Sequence, residues 1–484
     1  MLLTKDDDSP GLRPRIGLVA GPLLFAALLA AAPPAGMESA AWKVAAAGIL
    51  MAVWWVTEAL PIPVTALLPI VLFPVLGIAG IEDATGPYSN PIIFLFLGGF
   101  IIARGLEQCG LHKRIALATI GLVGTRPANL VAGFMVATAF ISMWVSNTAT
   151  VVMMYPMALS VMALAERDEA AGGNAFAVAL LLGIAYAANI GGLGTLIGTP
   201  PNALLAGFVL ETYGREIGFA QWMLLGVPVV IVALPITWAL LVKWLHPLPT
   251  AEITGGAAAF RAESAALGPL SLAEWVVGTV TLATATAWVM RPLLSEFAPG
   301  LSDAGIAIAG ATLLFLIPAA RGSLRPALSW REAEKIPWSV LILFGGGLSL
   351  AQSISASGLA GWIGTSLTGL QILPLVLVML VVSAVVLFLT ELTSNTATAA
   401  VFLPIVASVA VGMGVDPLTL AIPTALAASC AFMMPVATPP NAIVFGTGRL
   451  TIPQMARAGI WINLVMLFLI NAAVLLLASR LFTT

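Results

Sequence analysis

Apolar residues run along this chain in long uninterrupted stretches, and its polar residues gather in the short segments between them. A membrane-spanning helix needs roughly 20 such residues. Eleven stretches approach that length, at 16–33, 44–60, 62–80, 88–103, 176–210, 222–242, 275–290, 304–318, 338–357, 418–447 and 458–479. Two further runs have a different pattern. Residues 128–165 carry no charged side chain, yet Ser146-Asn147-Thr148 interrupts them midway; residues 372–415 repeat this around Ser394, with Glu391 as the one charge. Ser, Asn and Thr are strong helix N-cap residues, so each interruption predicts the opening of a new helix. The two runs are expected to be re-entrant helical hairpins with polar tips at mid-depth. The expected fold is an all-α polytopic membrane protein with about eleven transmembrane helices and two such hairpins.

The chain repeats itself. Trp144-Val145-Ser146-Asn147-Thr148-Ala149-Thr150 returns 248 residues later as Leu392-Thr393-Ser394-Asn395-Thr396-Ala397-Thr398. At the same offset Gly98-Gly99 answers Gly346-Gly347, and Gly110-Leu111 answers Gly358-Leu359. A second echo pairs Gly198-Thr199-Pro200-Pro201-Asn202 with Ala437-Thr438-Pro439-Pro440-Asn441. Five predicted spans, an odd number, separate the two tips. The second copy is therefore expected to enter the membrane from the opposite side, as in the inverted-topology repeats of secondary transporters.

Composition agrees with membrane residence, because 60% of the 484 residues are hydrophobic and 9% charged, with a mean hydropathy of +1.05. The first apolar stretch follows Lys5, Arg13 and Arg15 and reads as a retained helix rather than a cleaved signal. With a cytoplasmic amino terminus, sixteen of the twenty Lys and Arg residues fall inside; Lys43, Arg215, Arg291 and Arg480 fall outside. That bias fits a multi-pass protein of the cell inner membrane. Cys109 and Cys430 are too few for a disulfide framework, and His112 and His246, placed in predicted loops, give them no metal-ligand company. A net charge of −2 gives no reason to expect nucleic-acid binding.

The chemistry concentrates in the repeated segments. Proline removes a backbone donor and cannot continue a helix interior, so each Thr-Pro-Pro-Asn breaks its span. Bare backbone at membrane depth is tolerated where it lines a cavity enclosed by protein or filled with water. Free N–H groups at a helix start attract anions. Two tips and two breaks are thus expected to converge on one site. The glycine pairs read as close helix packing. Glu58 and Glu391 are intramembrane carboxylates, either functional or paired structurally, and neither has an acidic counterpart in the other copy.

With Trp54-Trp55-Val56-Thr57-Glu58-Ala59-Leu60-Pro61, the two Ser-Asn-Thr-Ala-Thr tips and the two Thr-Pro-Pro-Asn breaks in view, the chain resembles the divalent anion/sodium symporter family of dicarboxylate, citrate and sulfate carriers. The likeness leaves out only the first 15 residues and the loop 246–271. It implies a homodimer of eleven-helix protomers in membrane lipid and an elevator-like mechanism. It also implies that Ser146, Asn147, Thr148, Ser394, Asn395 and Thr396 hold the dicarboxylate, with Thr199, Pro200, Thr438 and Pro439 beside them. One sodium site is implied at Ser142, Ser146, Asn147 and Gly198, and a second at Thr390, Thr393, Asn395 and Ala437. Ser142 and Thr390 lie four residues before their tips, one helical turn, where a hydroxyl can join exposed carbonyls around a hard cation.

The expected domain division follows: a cytoplasmic tail at 1–15, scaffold helices at 16–127, a transport unit at 128–245 and a cytoplasmic loop at 246–271. The second copy adds scaffold helices at 272–371 and a transport unit at 372–484. The leading function is sodium-coupled symport of succinate, malate or fumarate; exchange of dicarboxylates, or carriage of citrate or sulfate, is the alternative. An enzyme is disfavoured because both histidines lie far in sequence from either tip. A channel is disfavoured because paired occluding tips suit alternating access better than an open pore.

Overall fold

A computed structural model describes residues 12–165, 173–253, 256–319, 322, 324–366 and 372–482. Among them every regular element is helical, apart from one isolated bridge between Pro318 and Pro326. Among the described residues ten helices are long and apolar enough to cross a membrane. Eight coincide with expected spans, and two, Asn147–Ala165 and Asn395–Gly412, are the second arms of the hairpins. Side chains such as Leu23, Ile231 and Phe468 stay exposed, as helices facing lipid require. The chain is a multi-pass membrane protein.

Two expected spans are shorter than the sequence suggests. The run 62–80 divides into Ile62–Thr65 and Leu68–Val75, a region punctuated by Pro61, Pro69 and Pro74. The run 304–318 forms Asp303–Leu316, 14 residues; at 1.5 Å per residue that is about 21 Å. The runs 176–210 and 418–447 are broken before Pro-Pro as expected, into Gly173–Gly192 and Pro200–Tyr213 and into Leu418–Ala428 and Pro439–Phe445. At the amino terminus the first helix already begins at Leu12, so residues 12–15 belong to it rather than to a tail; residues 1–11 lie outside the described residues. The expected loop 246–271 contains a helix, Gly256–Ala266, and residues 254–255 within it are not described.

The same sequence of elements occurs twice. In the first half a hairpin, Pro127–Ser142 and Asn147–Ala165, precedes the broken pair Gly173–Gly192 and Pro200–Tyr213 and the long helix Phe219–Ala239. In the second half Leu375–Thr390 and Asn395–Gly412 precede Leu418–Ala428, Pro439–Phe445 and Ile452–Ala473. Each hairpin packs on the first half of its own broken pair. The contact is close: a Cβ on Gly191 would collide with the backbone of Ala139.

Polar contacts distinguish the two ends of the molecule. At one end Arg114 donates to Glu274 at 2.8 Å and to the carbonyls of Leu267 and Gly268, tying helix Leu111–Gly121 to the loop beneath it. At the other, Arg291 donates to both oxygens of Glu216 at 2.5 and 2.9 Å and lies 3.1 Å from Asp303, whose carboxylate accepts the N–H of Phe219. Glu274 and Arg291 share helix Leu272–Phe297; seventeen residues of helix separate the two clusters by about 25 Å.

The glycine pairs do pack closely. A Cβ on Gly98 would meet the carbonyl carbon of Ala307 at 2.5 Å, and one on Gly346 would press on the carbonyl oxygen of Ala66. Backbone cannot yield as a flexible side chain can. Gly98→Val and Gly346→Val should each cost about 1–3 kcal/mol through overpacking, read as a lower unfolding temperature in detergent. Gly361→Ala, in open space, should leave that temperature unchanged; equal behaviour of all three would refute the packing account.

Candidate functional site

Each tip is a helix restart. The first arm of hairpin one ends at Ser142, and the chain resumes helix at Asn147, where Ser146 Oγ accepts the N–H of Ala149 at 3.3 Å. In hairpin two the arms end at Thr390 and restart at Asn395, after Ser394 in extended geometry. The first amides of any helix have no intrahelical acceptor, so both tips present N–H groups with the positive end of a helix behind them.

The breaks present the opposite chemistry. Thr199 and Thr438 are extended N-caps of helices that open with two prolines, Pro200-Pro201 and Pro439-Pro440. Proline carries no N–H, so these helix starts lack two of the donors that the tips possess. Asn202 secures the first break by donating to Gly192 O and Thr195 O at 3.1 and 2.8 Å. Asn441 does the same in the second, to Ala431 O and Met434 O, both at 3.1 Å.

Tips and breaks meet in one cavity of about 1050 Å³. Ser146, Asn147, Thr148, Thr199, Pro200, Ser394, Asn395, Thr396, Thr438 and Pro439, the ten residues expected to hold substrate, all line it, as do Gly198, Thr393 and Ala437. Ser142 and Thr390 lie just behind the wall, fully buried. Ser142 Oγ is 2.6 Å from Asn147 Oδ1 and 2.9 Å from Ala188 O; Thr390 Oγ1 is 2.7 Å from Asn395 Oδ1 and 2.9 Å from Ala428 O. A hydroxyl has one proton and can serve one of two acceptors. Each cluster therefore holds more oxygens than protons, a donor set that suits a hard cation. Gly198 joins the first, since one point, the position of a Cβ on Gly192, lies 2.9 Å from Asn147 Oδ1 and 3.0 Å from Gly198 O. Thr393 is differently engaged, donating to Leu389 O at 3.0 Å and lying 2.6 Å from Thr398 Oγ1.

Of the two intramembrane carboxylates, neither sits between the tips. Glu391 is buried and accepts from Phe432 N, Met433 N and Met434 N at 2.8–3.0 Å and from Asn463 Nδ2 at 2.7 Å. It braces the second break against the second tip and does not line the cavity. Glu58 is exposed at the cavity rim, in the left-handed region at the end of helix Ser39–Thr57 with φ 53°. His112 lies in helix Leu111–Gly121 rather than in a loop, with Nδ1 2.7 Å from Leu106 O, and His246 ends the segment Leu240–Leu245; neither lines the cavity.

Sequence reading singled out Glu58 but missed the rest of the charged mouth. Arg13, Glu58, Arg104, Glu107 and Lys335 line the same cavity, and Arg104 is paired to Glu107 at 2.7 Å and to Glu332 at 2.8 Å. Hydrogen bonds from Lys335 and Arg104 hold the Glu332 carboxyl below its usual range. Partners 228 residues apart leave no local pattern to find. Asn189, which also lines the cavity, was missed as well, because it falls in a helix with no counterpart motif.

Three comparisons bear on this arrangement. The family profile described as the sodium:sulfate symporter transmembrane region matches residues 16–482. The chain is 44% identical over 480 residues to the sodium-dependent dicarboxylate transporter SdcS of Staphylococcus saprophyticus, covering 96% of this chain and 92% of that protein. It is 46% identical over 461 residues to SdcS of Staphylococcus aureus, covering 93% and 88%. Among solved structures, the YdaH transporter of Alcanivorax borkumensis aligns over 97% of both chains with a TM-score of 0.57 and 15% identity. MtrF of Neisseria gonorrhoeae aligns over 96% of this chain and 95% of its own, with a TM-score of 0.57 and 12% identity. At those identities the likeness is one of fold.

Loss of the Glu391 carboxylate leaves buried N–H groups without an acceptor, each costing about 1–3 kcal/mol. Glu391→Ala should lower the unfolding temperature of the purified protein by several degrees, and Glu391→Gln, which keeps one acceptor oxygen, by less. An alanine variant as stable as the parent removes the brace.

Proposed function

This chain belongs to the sodium:sulfate symporter family, the divalent anion/sodium symporters its motifs resemble, and on that premise we propose that it carries C4-dicarboxylates across the cell inner membrane together with sodium ions. The observation that carries the proposal is the convergence of both tips and both breaks on one cavity. Sodium-dependent dicarboxylate transport is the named activity of the staphylococcal relatives.

The division of backbone chemistry supports symport. A dianion leaving water needs its charge met, or desolvation excludes it. Among the residues at tips and breaks there is no Lys or Arg. The carboxylates are met by tip N–H groups, by the side chains of Asn147, Thr148, Asn395 and Thr396, and by sodium held among Ser142, Ser146, Asn147 and Gly198 and among Thr390, Thr393, Asn395 and Ala437. Anion and cation then stabilise each other, and neither crosses cheaply alone. Arg104 and Lys335 at the mouth draw the dianion from solution.

In this reading the amino terminus is cytoplasmic and the cavity opens inward, while the Arg291, Glu216 and Asp303 cluster closes the outer face. The hairpins and broken helices, 128–245 and 372–484, move as a body along the membrane normal. The helices of 16–127 and 272–371 stay fixed in lipid and pair with those of a second protomer. Opposed repeats let the same site face either side when their conformations exchange.

The direct test is uptake of labelled succinate into proteoliposomes, with and without an inward sodium gradient and with and without unlabelled succinate inside. Uptake driven by sodium into empty vesicles supports symport; uptake that needs internal succinate and ignores sodium would leave an exchanger. Asn147→Ala and Asn395→Ala should each weaken succinate binding about 10- to 150-fold, the loss of a donor to a charged group at about 1.5–3 kcal/mol, with the protein still folded. Ser142→Ala and Thr390→Ala should raise the sodium concentration for half-maximal succinate binding, and by reciprocity weaken succinate at fixed sodium. Unchanged sodium dependence in both would remove the cation sites from these hydroxyls.

A further inference from the structure

Asn189 occupies the first half of the broken pair in the first repeat, yet its side chain reaches the second repeat. Its Nδ2 donates to Ala431 O at 3.3 Å and to Thr438 Oγ1 at 3.2 Å. A backbone carbonyl only accepts, so the contact with Ala431 fixes the amide orientation and leaves Oδ1 toward the first tip, where Asn147 Nδ2 donates to it at 3.5 Å. The residue is 2% exposed, and what it does expose lines the cavity.

The consequence falls on Thr438. Its hydroxyl oxygen accepts from Asn189 Nδ2 and also from the N–H of Asn441 at 3.3 Å, as an N-cap. Two donors occupy both lone pairs, so the hydroxyl proton must be given away. Among the described residues no acceptor takes it, and Thr438 faces the cavity. We propose that Asn189 is a positioning residue for the transported anion: it fixes the Thr438 hydroxyl as a donor aimed at a carboxylate in the cavity. This rests on the dicarboxylate reading of that cavity.

The first break is built otherwise. Thr199 caps no N–H, and its Oγ1 lies 3.3 Å from Ser429 Oγ, a pair in which either hydroxyl can donate. The polarity of Thr199 is therefore free where that of Thr438 is fixed. The two ends of the site differ although their motifs match, and the difference originates in Asn189 facing Thr438 where a serine faces Thr199.

Equilibrium binding of labelled succinate to purified protein in saturating sodium chloride tests the proposal. Asn189→Ala and Thr438→Val should each weaken binding about 10-fold or more. Because Asn189 acts through Thr438, the double variant should bind no more weakly than the worse single, whereas Asn189→Ala with Thr199→Val should lose the product of both factors. Asn189→Asp, nearly isosteric, should lose more than Asn189→Ala, because its carboxylate takes the threonine proton and repels the substrate; it carries the test if the alanine variant does not fold. Wild-type affinity in Asn189→Asp, or multiplying losses in Asn189→Ala with Thr438→Val, overturns the assignment. Asn147→Ala and Asn395→Ala run alongside: if they lose affinity while Asn189 variants do not, only the role of Asn189 falls. If the parent binds no succinate in sodium, the dicarboxylate reading falls with it.

Discussion

A doubly charged solute inside a membrane protein must be surrounded by partial charges that have been aimed before it arrives, because water is no longer there to turn toward it. In this chain we propose that helix ends do the aiming. Two hairpins expose N–H groups at Asn147 and Asn395, and the remaining architecture keeps those ends apart, facing one cavity and away from lipid. The close packing of Gly191 on Ala139 sets the first hairpin against its broken partner. The Glu391 carboxylate does the corresponding work in the second half by gathering three successive amides of the second break.

Breaking a helix inside a membrane strands polar backbone groups, and each must find a partner. Asn202 and Asn441 supply one at equivalent places, each bonding a carbonyl at the start of its break and another three residues on. That correspondence extends to Ser142 and Thr390, each joined to the tip asparagine and to a carbonyl of the neighbouring helix. Departures from it are informative for that reason. Glu391 answers Met143, and of two bridges between repeats one is made to Thr438 by the amide of Asn189 and the other to Thr199 by the hydroxyl of Ser429.

Much of this was legible in the chain itself. Uncharged runs split by Ser-Asn-Thr named the hairpins, because a capping residue inside an apolar run has few other uses; Pro-Pro named the breaks for an equally local reason. Helix lengths were less legible: the prolines of 61–75 divide what hydropathy reads as one span, and hydropathy does not count how many residues of 304–318 stay helical. Long-range polar partners were not legible. Arg104 with Glu332 and Glu391 with Asn463 join segments whose local sequences carry no mark of one another, and for Glu391 the sequence leaves a functional and a structural role open where four donors give it the structural one. Asn189 was invisible for a related reason, since an asparagine in a buried helix acquires its role only from what it faces.

The paired prolines of Thr-Pro-Pro-Asn have one more implication. They remove two amides from each break, while its carbonyl oxygens belong to the backbone and no ordinary side-chain replacement deletes them. The tips, by contrast, present side chains of Asn and Thr that a single codon can alter. The walls of one cavity thus combine oxygens that survive point mutation with side chains that do not, and Asn147 and Asn395 belong to both of the proposed sites, for anion and for cation. A codon change at either asparagine would therefore disturb solute and ion together, whereas the oxygens of the breaks are passed on unaltered.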